Sequence, residues 1–105
     1  MLIDAHCHLT DDYFKDKLDI VIKNAKKNNL VYIISNGINL EDNKKVLELS
    51  KKYGIVKAAL GLYPDEIVKS SEEEIEENFD FIKKNKNKII AMGEVGLDLY
   101  HNKEL

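Results

Sequence analysis

The residues best suited to chemistry stand at the two ends of the chain. His6 and His8 close an opening apolar run, Met1-Leu2-Ile3-Asp4-Ala5-His6-Cys7-His8. In an extended strand side chains alternate, so the two imidazoles leave one side while Ala5 and Cys7 leave the other. Two imidazoles on one side can grip zinc, copper, iron or nickel, and a carboxylate such as Asp4 could hydrogen-bond a ring nitrogen and fix its tautomer. A plainer reading has the histidines capping a strand end. Glu94, between Gly93 and Gly96, adds a carboxylate far along the chain, where the glycines let the backbone bend. Two histidines and a glutamate form a nitrogen and oxygen set suited to zinc, manganese or related divalent ions.

The elements that must carry these residues alternate. After the first strand, Asp11-Asp12 precede an apolar stripe at Phe14, Leu18, Val21, Ile22 and Ala25, which predicts an amphipathic helix with carboxylates at its start. Leu30 to Ser35 is a continuous β-favouring run, expected to be buried on both faces, and Asn36-Gly37 makes a turn. Asn39 or a neighbour can cap a helix with the stripe Leu40, Val46 and Leu47, which Tyr53 could extend, closed by Gly54 in the left-handed conformation. Ile55 to Leu60 is a third strand, followed by a loop at Leu62-Tyr63-Pro64-Asp65-Glu66. Ser70-Ser71 with Glu73-Glu74 caps a third helix through Ile75, Phe79 and Ile82, whose basic end is a solvated helix terminus. Ile89 to Met92 is the fourth strand.

Strands alternating with crossover helices force a parallel sheet with right-handed connections. The order suits a doubly wound open sheet or part of a (β/α)₈ barrel. His6, His8, Asn36, Tyr63 and Glu94 all fall at C-terminal strand ends, the functional rim in both. The dinucleotide fingerprint and the P-loop are absent, which argues against an open-sheet nucleotide binder.

Composition narrows the function. Of 105 residues 33% are charged, with a net charge of −3. No cationic field draws the molecule onto nucleic acid or an anionic membrane. The basic residues are all lysine, which removes the planar fork used to read guanine or grip phosphate bidentately. Any nucleic-acid contact is therefore local and not sequence-specific. A single cysteine cannot form an intrachain disulfide, no secretory leader pattern follows Met1, and no apolar run reaches the ~20 residues of a membrane helix. A cytoplasmic protein is expected, with Cys7 as a small core residue.

Three stretches together resemble the TatD family of metal-dependent hydrolases: Ile3-Asp4-Ala5-His6-Cys7-His8-Leu9, Gly61-Leu62-Tyr63-Pro64 and Gly93-Glu94-Val95-Gly96-Leu97-Asp98. The resemblance runs along nearly the whole chain. It implies a TIM barrel of the amidohydrolase superfamily, one or two divalent ions (Mg, Mn or Zn), and a deoxyribonuclease that cleaves phosphodiester bonds of DNA. It also implies that His6, His8 and Glu94 are metal ligands, Glu94 being the catalytic, bridging carboxylate if two ions bind. Asp4 and Asp98 would support the ligands from behind. Tyr63 departs from the pattern, since the family more often has histidine there. A tyrosine titrates near pH ~10, so it can hydrogen-bond a substrate phosphate but not shuttle protons at neutral pH; it could equally pack on Pro64.

Size sets the remaining expectations. A complete barrel takes ~250 residues and at least ~200, so residues 1–105 read as a single segment, the N-terminal half, with four parallel strands and three intervening helices. The further ligands that the family places on later strands, two histidines and an aspartate, have no counterpart here. His101 reads as a surface histidine. In a flat sheet of sequential order the first and fourth strands would lie ~14 Å apart, and His6 could not share an ion with Glu94; a curved sheet is required. The chain alone is expected to have little nuclease activity and to self-associate through its exposed sheet edges. Rival expectations are an amidohydrolase or PHP-type phosphoesterase, which also opens with His-X-His, and a non-catalytic truncated module.

Overall fold

The computed structural model describes residues 1–96 of the chain, so Asp98 and His101 lie outside the described residues. Four strands, β1 (Leu2–Cys7), β2 (Leu30–Asn36), β3 (Val56–Leu60) and β4 (Ala91–Met92), form one parallel sheet in sequential order β1-β2-β3-β4. The helices are α1 (Leu18–Lys27), α2 (Leu40–Lys52), α3 (Pro64–Lys69) and α4 (Glu72–Lys84). Apolar side chains weld them to one face of the sheet. Leu9, Ile22, Ile33, Ile55 and Val56 form one core cluster with Phe14 and Leu18 against it, and Val46, Leu47, Ala58, Leu60 and Ile82 form a second. No helix among the described residues is long and apolar enough to cross a membrane.

Several local expectations hold for the reasons given. Asn39 caps α2 by accepting from the Asp42 amide at 2.8 Å, and Ser71 caps α4 by accepting from Glu74 at 3.2 Å. Cys7 is half-buried against the first core cluster.

Others are corrected. The third crossover carries two helices, not one: Pro64 stands at the first helical position, where its fixed φ and missing N–H cost nothing, and Asp65 and Glu66 follow in the first turn. Asp11 and Asp12 belong to a separate 3₁₀ turn, Asp12–Phe14, with Asp16 left-handed at φ 65° before α1 begins. Gly54 is not left-handed; the left-handed residue closing a helix is Asn29, φ 67°, after α1. Phe79 is exposed, and Asn78 holds the buried position on α4. Strand β2 is not buried on both faces, since Val31 and Tyr32 are exposed. Adjacent in the strand, they leave opposite faces, so both faces are open at the start of β2, as they are at Leu2 and Ile3 of β1. Strand β4 is two residues long, although Ile90 and Gly93 extend its backbone bonds to Ala58 and Leu60, each at 2.9 Å.

Candidate metal centre

Each functional side chain is set by its strand end. At the end of β1, the Asp4 carboxylate accepts from the backbone N–H of His6 at 3.1 Å. Asp4 thus holds the main chain, not an imidazole. The register between β1 and β2 slips between Asp4 and Cys7, so His6 and His8 converge instead of standing parallel, with ring centroids 5.0 Å apart at 74°. His8 Nδ1 lies 3.0 Å from the backbone oxygen of Asn36. A carbonyl only accepts, so Nδ1 carries the proton and Nε2 presents its lone pair outward.

Glu94 follows β4. Gly93 packs so closely that a Cβ there would stand 2.5 Å from Asn36 Oδ1, and a Cβ on Gly61 would stand 2.5 Å from the Gly93 oxygen. Leu62 N–H donates to the Glu94 carbonyl at 2.9 Å. These glycines therefore serve close backbone approach, while Gly96, at φ 134°, is the one that turns the chain.

The three side chains meet. His6 Nε2 and His8 Nε2 are 3.2 Å apart, and Glu94 Oε1 stands 2.7 Å from the first and 3.4 Å from the second. Donors ~2.0–2.1 Å from a tetrahedral ion stand ~3.3 Å from one another; the 3.2 and 3.4 Å separations match this, while the 2.7 Å contact is a hydrogen-bond length that a shared cation would widen. Their electronics agree. His8 Nε2 and the Glu94 carboxylate are both acceptors, and in the protein alone a proton on His6 Nε2 satisfies both. A divalent ion satisfies all three once His6 gives that proton up. Glu94 is the most enclosed, with 18% of its side chain accessible against 55% and 38% for His6 and His8. An open cleft of about 440 Å³, lined by His6, Asn36, Ala59, Gly93 and Glu94 among others, leads to the triad from the uncovered side of the sheet.

Because β1 and β4 are outer strands of a four-stranded sheet, a 2.7 Å contact between His6 and Glu94 requires the sheet to curl into half of a barrel. The sequence model of the TatD-related DNases matches residues 3–105. The chain belongs to this family. It is 40% identical over 97 residues to the uncharacterized metal-dependent hydrolase MJ1582 of Methanocaldococcus jannaschii, covering 92% of this chain and 38% of that one. Human deoxyribonuclease TATDN3 is 32% identical over 104 residues, with 92% and 38% covered. The crystal structure of the TatD homologue YjjV from Escherichia coli superposes with a TM-score of 0.84 at 31% identity, over 94% of this chain and 38% of that one. The TatD-related chain thus spans about two fifths of the length of these relatives, and its four strands correspond to half of a TIM barrel.

Not every expected site residue joins the triad. Tyr63 opens α3, its N–H donating to the Ile38 oxygen at 2.8 Å, and it does not line the cleft beside Glu94. A second cleft beside His8, about 480 Å³, contains Lys45 but also Asp11, Asp12, Glu41 and Asp42. Sequence reasoning did not foresee the roles of Asn43 and Asn78, buried polar residues on α2 and α4; two asparagines interrupting helical apolar stripes were the signal.

Proposed function

We propose that this TatD-related segment supplies the first half of the metal centre of a DNA phosphodiesterase, with His6, His8 and Glu94 as ligands. The observation that carries the reading is the convergence of two imidazole nitrogens and one carboxylate oxygen at ligand spacing. A divalent ion, magnesium, manganese or zinc, would supply Lewis acidity toward a phosphoryl oxygen and make water a better nucleophile. The residues do the rest. His8, fixed by the Asn36 carbonyl, presents Nε2 in a set direction, and the Glu94 carboxylate can take the proton of the attacking water. With carboxylates crowding the flanking cleft, phosphate is drawn to the cationic centre itself and not by a lysine field, which fits sequence-neutral recognition of DNA. Tyr63 would act at most on substrate further along the rim, and Asp4 keeps His6 in place through the backbone. The free thiol of Cys7 suits the cytoplasm.

That relatives such as TATDN3 are named deoxyribonucleases supports DNA as the substrate class ahead of phosphate monoesters or cyclic amides. The test joins residues 1–96 to the remaining segment of MJ1582 and assays cleavage of a labelled single-stranded oligonucleotide with manganese or zinc. Cleavage is expected from the chimaera, with a loss of at least about 100-fold on His6→Ala or Glu94→Ala, and very little from the 105-residue chain. Undiminished cleavage by either variant would remove the assigned ligands, and preference for a monoester or a cyclic amide would reassign the substrate.

A further inference from the structure

Behind the triad, two helices send buried amides to one glycine. Asn43 of α2 and Asn78 of α4 are 0% and 1% exposed. Asn43 Nδ2 donates to the Gly61 oxygen at 2.8 Å and to Asn78 Oδ1 at 2.7 Å, while Gly61 N–H donates to Asn43 Oδ1 at 3.2 Å. Asn78 Nδ2 donates to the same Gly61 oxygen at 3.3 Å. Both backbone groups of Gly61 are therefore satisfied by side chains at the point where β3 ends. Gly37, just past β2, leaves room for this: a Cβ there would lie 2.0 Å from Asn43 Oδ1.

The flanking bonds point at the site. Leu60 accepts from Gly93, and Leu62 donates to Glu94, so the two residues on either side of Gly61 fix the backbone that carries the Glu94 carboxylate. On the other side, Gly37 adjoins Asn36, whose carbonyl orients His8. Asn43 stands at the junction of the two paths. Burying two amides demands that every polar atom be bonded. They are: no buried side-chain polar atom among the described residues lacks a partner.

We propose that Asn43 and Asn78 are positioning residues of the metal centre, which clamp Gly61 so that Leu62 holds Glu94 in register with His8. This rests on the metal-centre reading above. The experiment compares wild type, Asn43→Ala and Asn78→Ala with Ile22→Ala, a cavity of similar cost in the other core cluster. Cobalt(II) affinity is read by absorption titration of the 105-residue chain, and Leu62 amide exchange is read by NMR without metal. Asn78→Ala is expected to weaken cobalt binding about tenfold and Asn43→Ala tenfold to a hundredfold, the range for residues that support ligands. Ile22→Ala, at matched loss of unfolding midpoint, should stay within about twofold of wild type, and only the asparagine variants should lose Leu62 protection. If Asn43→Ala does not fold, Asn78→Ala carries the comparison. A folded asparagine variant with wild-type affinity and protection, or an Ile22→Ala loss as large, overturns the proposal. Failure of wild type to bind cobalt overturns the metal-centre reading instead, and Leu62 exchange then decides whether the clamp exists.

Discussion

At the scale of single residues, the site depends on which atom carries a proton. His8 donates from Nδ1 to the Asn36 carbonyl, so ¹⁵N NMR of the neutral ring is expected to show the Nδ1–H tautomer; the Nε2–H form would contradict the ligand geometry. Cys7 gives a second residue-level prediction. Burial, and then the nearby Asp4 charge, push its thiol up to about 11 from the usual 9.0, against a smaller opposing effect of the Leu9 N–H. The folded protein therefore holds a proton that the unfolded chain releases, and stability falls as pH rises from about 9 to about 11. Denaturation midpoints should show that slope, and Cys7→Ala should flatten it. An identical slope in the variant would mean that another group titrates there. The convergence of His6, His8 and Glu94 was legible because residue type and strand periodicity restrict where such groups can stand. Asp4 was legible only as a nearby carboxylate, since sequence does not tell a ring nitrogen from a backbone N–H as its partner.

At the scale of elements, tight backbone approach holds the rim together. A methyl group on Gly61 would meet the Gly93 oxygen and carbon and the Glu94 oxygen, all within 3 Å and all backbone. Gly61→Ala is thus expected to cost about 1–3 kcal/mol in chemical denaturation and to weaken metal binding; an unchanged midpoint with unchanged affinity would show that β4 is not held as described. The strand and helix order was readable because each segment has one dominant period and a capping residue where a cap is needed, as at Asn39 and Ser71. What escaped notice was decided by tertiary context. Pro64 starts a helix as readily as it shapes a loop, and only the chain's path from β3 to α4 selects the helix. Asn43 and Asn78 stand out only as asparagines within helical apolar stripes until Gly61 is placed between them. Asp11 and Asp12 suit any short turn, and the left-handed Asp16 separates theirs from α1.

At the scale of the whole molecule, a curved four-stranded sheet leaves β1 and β4 as its outer strands, each paired on one side only among the described residues. Leu2, Ile3, Val31, Tyr32, Ile90, Met92 and Val95 are exposed. Open parallel edges and apolar surface of this kind favour pairing with another chain, so light scattering of the 105-residue protein should show concentration-dependent association, reduced by Ile3→Lys on β1; a strict monomer at all concentrations would contradict this. The half-barrel could be anticipated from the count of strands and its curvature from the need for His6 to reach Glu94, but the packing that sets that curvature could not, because it depends on how strands pack and not on any one residue. That curvature brings the first and fourth strand ends together, and calorimetric titration of the chain with zinc tests most directly whether they share one ion. One ion is expected to bind per chain, with binding lost in both His8→Ala and Glu94→Ala. Binding that survives Glu94→Ala unchanged would mean that the two ends of the sheet do not share an ion.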